Sequence, residues 1–198
     1  MAFSCVQCIV TSLHAHFIVN NYRTVTYGHL SARDENPNVI VYLLKILKHC
    51  KLLSKLAHAL NDGRQYELRI DLFDWEGERP YAKYMYFYVA PENDNYRLNI
   101  SGYSGNTGGD TFVLHQNGQQ FSTIDRDNDA WFFDSCVALF GGGGFWFGGC
   151  GYFVPNGRYG NAGSRVTHSS PDLHWVSFRG DIYSLKAVSM AFRRAATN

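Results

Sequence analysis

Residues 66–77 read YELRIDLFDWEG, and their rhythm decides the fold class. Tyr66, Leu68, Ile70 and Leu72 alternate with Glu67, Arg69 and Asp71. That period of two is what a strand buried on one face requires, since successive side chains point to opposite sides. Residues 81–89 and 96–100 repeat the pattern, with Pro91-Glu92-Asn93-Asp94-Asn95 between them as a turn. Asn61-Asp62-Gly63 is a turn signal upstream, and residues 182–192 form a last strand-like stretch. Between them, beyond Ser101, Gly and Asn recur and the chain reads as loops. A long loop-rich region within a compact domain implies binding loops, a metal or a disulfide.

Composition agrees. The chain has 198 residues, 18 Lys and Arg against 17 Asp and Glu, and a formal net charge of +1. This length suits one domain, or a domain with an extension, and can bury its own core. So even a charge provides no general field for nucleic acid. Apolar residues make up 45% of the chain, which excludes global disorder, and no apolar run is long enough for a membrane span. With 14 Phe, 13 Tyr, 4 Trp and 19 Gly, the chain reads as a turn-rich, strand-containing domain with aromatic pockets.

Upstream of residue 61 the texture differs. There is no Trp, three of the five cysteines (Cys5, Cys8, Cys50) lie here, and no strand rhythm is evident. Residues 39–60 are the best helix candidate, with Leu43, Leu44, Leu47 and Leu56 at helical spacing and Lys45, Lys48, Lys51 and Lys55 on another arc. A solvated surface helix is the reading preferred over a membrane- or partner-binding one. Residues 1–10 are apolar but lack a basic start, so a secretory signal here is poorly formed. Cys5-Val6-Gln7-Cys8 and His14-Ala15-His16 have no second paired motif at zinc spacing.

The strongest local chemistry is Asp125-Arg126-Asp127-Asn128-Asp129. Carboxylates at alternate positions converge if the loop curls, which suits a hard cation such as calcium. An EF-hand is excluded, because Ala130 and Cys136 stand where Gly and Glu are needed. The competing reading is an acidic turn held by its own hydrogen bonds. Cys136 and Cys150 flank Gly141-Gly142-Gly143-Gly144 and Phe145-Trp146-Phe147. A disulfide between them would close a short loop worth about 3 kcal/mol on the loop-entropy model. The glycines lack the Lys-Ser/Thr of a phosphate cradle and read as tight backbone turns that let large rings pack or line a pocket. His115, His168 and His174 have no nucleophile elbow beside them and read as hydrogen-bonded surface residues in loops, so no enzyme is expected. Asn99-Ile100-Ser101 is a glycosylation sequon.

Taken in order, these stretches resemble the fibrinogen C-terminal globular domain. The resemblance is carried by residues 66–77 followed by Tyr81-Ala82-Lys83-Tyr84, by Tyr96-Arg97-Leu98 with Ser101-Gly102-Tyr103-Ser104-Gly105, and by residues 117–129 (NGQQFSTIDRDND). It continues through Cys136, Phe145-Trp146, Cys150, Asn156-Gly157-Arg158-Tyr159, Trp175, Tyr183-Ser184-Leu185-Lys186 and Met190. The family, which includes ficolins, tachylectins, tenascins and angiopoietins, is extracellular and disulfide-linked. Its fold is α+β, with a central, mainly antiparallel sheet and a loop-rich calcium- and ligand-binding region.

The resemblance implies a Cys136–Cys150 disulfide. It implies calcium held by the side chains of Asp127 and Asp129 and by carbonyls assigned to Trp131 and Phe133. In lectin members a pocket beside the disulfide takes acetyl groups, built around a cis peptide before the second cysteine and a following His. Here the corresponding residues are Gly149, Cys150 and Gly151, with Phe140 and Trp146 as the nearby aromatic faces and Val154 where the family carries Asn. Residues 56–198 then form a fibrinogen-like domain lacking its usual N-terminal subdomain. Residues 1–55 form an atypical segment, read as a poor signal or as the product of a faulty gene model or alternative start. Such a truncation is expected to uncover sheet edges and apolar surface. The function implied first is a secreted, calcium-binding, lectin-like module for acetylated glycans in innate recognition, glycosylated at Asn99 and multimerised through other regions. The alternative is an extracellular adhesion or receptor-binding module of the tenascin or angiopoietin kind, with structural calcium.

Overall fold

The computed structural model describes the backbone of residues 23–28 and, with side chains, residues 63–141, 143–157 and 172–195. Its centre is an antiparallel sheet of five strands: β1 (Arg23–Gly28), β2 (Tyr66–Phe73), β3 (Tyr81–Val89), β4 (Leu98–Gly105) and β7 (Ala187–Arg194). They lie side by side in the order β1-β7-β2-β3-β4. A two-stranded ribbon, β5 (Phe153–Val154) with β6 (His174–Trp175), and two short helices, α1 (Thr111–Gln116) and α2 (Cys136–Leu139), complete the described elements.

The alternation in residues 66–72 becomes β2 as expected. Tyr66, Leu68, Ile70 and Leu72 are buried while Arg69 is exposed. The register sets Leu68 opposite Tyr84 on one side and opposite Phe192 on the other. Glu67 on the opposite face meets Lys83 at 3.1 Å and Arg193 at 2.9 Å, so the outward surface is laced by cross-strand charge pairs.

β3 occupies the expected residues, but its alternation slips. Ala82 and Tyr84 are buried, Met85 and Tyr86 are both exposed, and burial resumes at Phe87 and Val89. β4 slips with it. Tyr84 pairs with Tyr103 and Phe87 with Ile100 on either side of a gap at Met85 and Gly102, and both Tyr84 and Phe87 reach the core. Their rings approach Tyr103 and Phe192 at 5.8 Å each.

Three elements differ from expectation. The third strand begins at Leu98, because Asn95 and Tyr96 take left-handed backbone angles (φ 49° and 54°) that end the turn after the 3-10 segment Glu92–Asp94. β7 begins at Ala187, while residues 182–186 run as an irregular connection pinned by Leu185 N–H to Leu173 O at 2.8 Å. Thr111–Gln116 forms a helix where loop was expected, since Asp110 accepts the Val113 N–H through its side chain and caps the first turn. A fourth difference concerns residues 23–28. They pair with β7 from Arg23↔Phe192 to Gly28↔Ala187, so the β7 edge is covered and not left open. The helix expected over residues 39–60, the Asn61-Asp62-Gly63 turn in part, Cys5, Cys8, Cys50 and His168 lie outside the described residues.

The core fills the space between the sheet and the loop region. Trp146, Trp175, Phe112, Phe145, Phe147 and Phe153 are among its largest buried side chains. Phe112 stacks on Phe145 at 5.7 Å and meets Phe153 edge-on at 5.4 Å. Each such ring, fully buried, contributes on the order of 1.5–3 kcal/mol. This aromatic layer is the platform on which the loops below are fixed.

Candidate functional site

The acidic loop is organised by its own hydrogen bonds. Thr123 and Arg126 exchange backbone bonds (2.9 and 3.1 Å) to make a tight turn. Asn128 is held by Ser122 Oγ, which accepts its N–H at 3.0 Å, and by the Phe121 carbonyl, which accepts from Nδ2 at 2.7 Å. Asp127 accepts the N–H of Asp129 at 3.1 Å. Asp129 Oδ1 accepts the Trp131 N–H and Oδ2 the Cys136 N–H, each at 2.8 Å. The Ala130 N–H reaches the Gly148 carbonyl at 3.0 Å, which ties this loop to the disulfide loop.

Burial and the neighbouring Asp127 carboxylate push the Asp129 carboxyl up, against the pull of the Trp131 and Cys136 N–H groups. Two carboxylates within hydrogen-bonding reach of one another favour a shared proton or a cation between them. Their all-oxygen chemistry suits a hard ion, and the carbonyls of Trp131 and Phe133 lie on the same loop. Among the described residues no three His, Cys, Asp or Glu side chains converge, so an ion here would draw the rest of its shell from carbonyls and water.

Cys136 and Cys150 are joined by a disulfide, with Cα atoms 5.1 Å apart. It anchors the first residue of α2, a short helix capped by Ser135, whose Oγ accepts the Ala138 N–H. Cys150 has φ 95°, a backbone region that disfavours L-residues. The described residues contain no cis peptide bond, so the Gly149–Cys150 bond is trans, unlike the arrangement that the resemblance implies.

Neither aromatic side chain expected at the pocket presents an open face. Phe140 and Trp146 are 4% and 2% exposed and belong to the core instead of presenting open faces. Trp146 meets Phe121 edge-on at 5.1 Å and donates its indole N–H to the Tyr96 carbonyl at 2.7 Å. Phe140 stacks on Phe147 at 5.4 Å. A Cβ built on Gly151 would lie 2.8 and 2.9 Å from two Phe140 ring carbons and would collide with Val154 Cγ2. The Phe140 ring and Val154 thus take the space a side chain at 151 would need, while Gly151 itself stays partly exposed. Gly149 faces open space.

His174, expected on a loop surface, is a buried residue of β6, 3% exposed. Its Nδ1 lies 2.7 Å from the Asp172 carbonyl and its Nε2 3.1 Å from the Gly151 carbonyl. An imidazole thus sits beneath Gly151, braced edge-on by Phe140 at 6.1 Å. His115 stacks flat on Tyr152 at 3.4 Å. In the four-glycine run, a Cβ on Gly144 would come within 2.8 Å of the Phe121 ring, so close packing explains glycine there. The sequon residue Asn99 is half-buried in β4, opposite Tyr88.

Sequence reasoning missed two features. Phe132 and Phe133, beside the acidic loop, are 92% and 88% exposed, with their rings edge-to-face at 5.5 Å. Two adjacent Phe after a Trp read as core in a sequence, and no periodicity marks them as outward. The second is the buried carboxylate Asp74, which Arg179 holds by Nη2 at 2.5 Å and Nε at 3.1 Å, and to which Glu78 donates its N–H at 2.7 Å. Residues 74 and 179 are too distant in sequence for spacing to pair them.

Among curated proteins, the chain is 40% identical over 143 residues to microfibril-associated glycoprotein 4 of Mus musculus, covering 70% of this chain and 54% of the relative. It is 38% identical over 140 residues to angiopoietin-4 of Homo sapiens, covering 71% of this chain and 27% of that protein. The chain therefore spans about half the length of the first of these relatives and about a quarter of the second. Among solved structures it superposes on the fibrinogen-like globe domain of human ANGPTL2 with a TM-score of 0.64 and 34% identity, over 70% of this chain and 62% of that one. Residues 50–195 match the family model described as the C-terminal globular domain of fibrinogen beta and gamma chains. With that match over most of its length, and with the sheet and disulfide above, the chain belongs to the fibrinogen C-terminal domain family.

Proposed function

We propose that this chain is an extracellular recognition module that binds a protein ligand, with calcium on Asp127 and Asp129 as a structural ion. The observation that carries the choice of ligand class is the packing at Gly151. An acetyl pocket needs open aromatic faces, whereas Phe140 and Trp146 are buried and Phe140 and Val154 pack directly against Gly151, which favours a protein ligand. The names of the relatives support the same reading, since one is a microfibril-associated glycoprotein and another an angiopoietin.

Calcium is proposed from the donor set. The Asp127–Asp129 pair concentrates negative charge on one loop, and a cation between the carboxylates would relieve it. The ion's role is to set the loop, and through the Cys136 N–H the start of α2, with no chemical step assigned to it.

The reading is tested by retention on extracellular matrix in calcium, comparing untreated matrix with matrix digested by protease or by glycosidase. Retention that is lost to protease and survives glycosidase is expected. Retention on N-acetylated resin with release by free N-acetylglucosamine would overturn it and restore the glycan reading.

A further inference from the structure

We infer that Phe132 and Phe133 form the docking point for the protein ligand, and that the ligand presents arginine there. This rests on the reading above that the ligand is a protein.

The two rings stand 92% and 88% exposed at a turn, packed edge-to-face against each other. Leaving two adjacent Phe side chains in water is exceptional here, since every other Phe among the described residues is buried or half-buried. The pair offers roughly 300–400 Å² of aromatic surface. That is less than half of the ~800 Å² per partner in a stable interface, so the rings act as a focus within a larger contact.

The charge around them selects the partner. Residues 124–134 hold Asp125, Asp127, Asp129 and Asp134 against the single cation Arg126, in a chain whose overall charge is +1. A second copy would bring the same negative loop, and an anionic bilayer would be repelled. A guanidinium satisfies both features at once. Its flat face stacks on a ring, and its edge donates paired hydrogen bonds to a carboxylate. Asp134, directly after the pair, is exposed, and its carboxylate, whose Oδ1 accepts the Ser135 N–H at 2.8 Å, is the acceptor nearest in sequence to the rings. A calcium ion on Asp127 and Asp129 would offset those two charges and leave Asp125 and Asp134 against Arg126, so the segment stays net negative and Asp134, beside the rings, keeps its charge.

The test uses the full chain in calcium and three labelled peptides of alternating Leu with Arg, Lys or Glu, followed by fluorescence anisotropy. The Arg–Leu peptide is expected to bind most tightly, Lys–Leu more weakly and Glu–Leu not at all. Phe132→Ser/Phe133→Ser should weaken Arg–Leu binding at least about tenfold with an unchanged melt, whereas Phe132→Tyr/Phe133→Tyr should keep it. Asp134→Asn should weaken it less and reduce its salt dependence. Equal binding by the wild type and the double Ser variant overturns the inference, as does equal binding of Arg and Lys peptides. Failure of the Arg peptide together with Phe-dependent binding to phosphatidylcholine–phosphatidylserine vesicles also overturns it, in favour of a lipid partner. Matrix retention that survives the double Ser variant refutes this docking point while leaving the protein-ligand reading intact.

Discussion

Asp129 Oδ2 accepts the backbone N–H of Cys136 at 2.8 Å, so one carboxylate spans the acidic loop and the first residue of the disulfide helix. Its other oxygen holds the Trp131 N–H at the same distance. Asp129 therefore has a structural role that does not require an ion, whereas Asp127 accepts one local bond, from the Asp129 N–H. The two carboxylates should behave differently when removed. Asp127→Ala should abolish the rise in Tm on adding calcium and leave the melt in EDTA nearly unchanged. Asp129→Ala should lower Tm in both buffers, since hydrogen bonds to a charged group contribute about 1.5–3 kcal/mol each. Thermal melts with and without EDTA decide this, and an equal loss for Asp127→Ala in both buffers would remove the calcium assignment.

Gly151 is a packing requirement. Gly151→Ala should destabilise by about 1–3 kcal/mol through overpacking against Phe140 and Val154. Adding Val154→Ala should recover part of the loss by giving the new methyl group room. Urea unfolding of the single and double variants measures the coupling, and strict additivity would contradict the contact.

The Cys136–Cys150 bond closes a loop with a sequence separation of 14 residues. Cys136→Ser/Cys150→Ser should lose about 3 kcal/mol on the loop-entropy model. Wild type treated with reductant should unfold at nearly the same urea concentration as the double variant. A midpoint unaffected by reduction would contradict a stabilising role.

Asp74 supplies a pH dependence whose sign is fixed. Burial pushes its carboxyl up, but Arg179 and the Glu78 and Gly77 N–H groups outweigh burial and hold it below the usual aspartate range. A lowered folded value means that this stability is present above the ordinary aspartate range and is lost as pH falls through the folded one. Asp74→Asn should therefore melt lower than wild type at neutral pH, and the gap should narrow on acidification. A gap that is constant from pH 7 to the acid transition would show that the ionised form contributes nothing.

The β7 edge yields a last prediction. Removing residues 1–28 takes away β1 and exposes a row of backbone donors and acceptors along β7. The shortened chain should self-associate in a concentration-dependent way by light scattering, where the full chain does not.

The sheet was legible where local pattern and tertiary burial agree. Residues 66–72 alternate because one face of β2 is buried, and nothing else in the fold interferes with that rhythm. Asp127, Asp129, Cys136 and Cys150 stood out because carboxylate spacing and cysteine spacing are local properties. β1 was invisible, since its pairing with β7 is a contact across most of the chain. The packing at Gly151 was equally hidden. A missing side chain says nothing about what moves into its place, and Phe140, eleven positions away, is the residue that does. His174 shows the same limit, because its contact with the Gly151 carbonyl becomes apparent only once β5 and β6 are side by side.

The joint slip in β3 and β4 constrains how this domain can change length. Met85 and Gly102 stand at the one gap in the β3–β4 ladder, between Tyr84↔Tyr103 and Tyr86↔Ser101, each occupying the extra position in its strand. Deleting Met85 alone would restore the in-out alternation of β3, with Phe87 and Val89 still inward, and leave Gly102 as an unmatched extra residue bulging from β4. Deleting Gly102 alone would do the same from the other side. Only loss of both together returns a plain ladder with no bulge in either strand. Insertions and deletions in these two strands should therefore occur in matched pairs across relatives, so that a one-residue gap in one strand predicts its counterpart in the other.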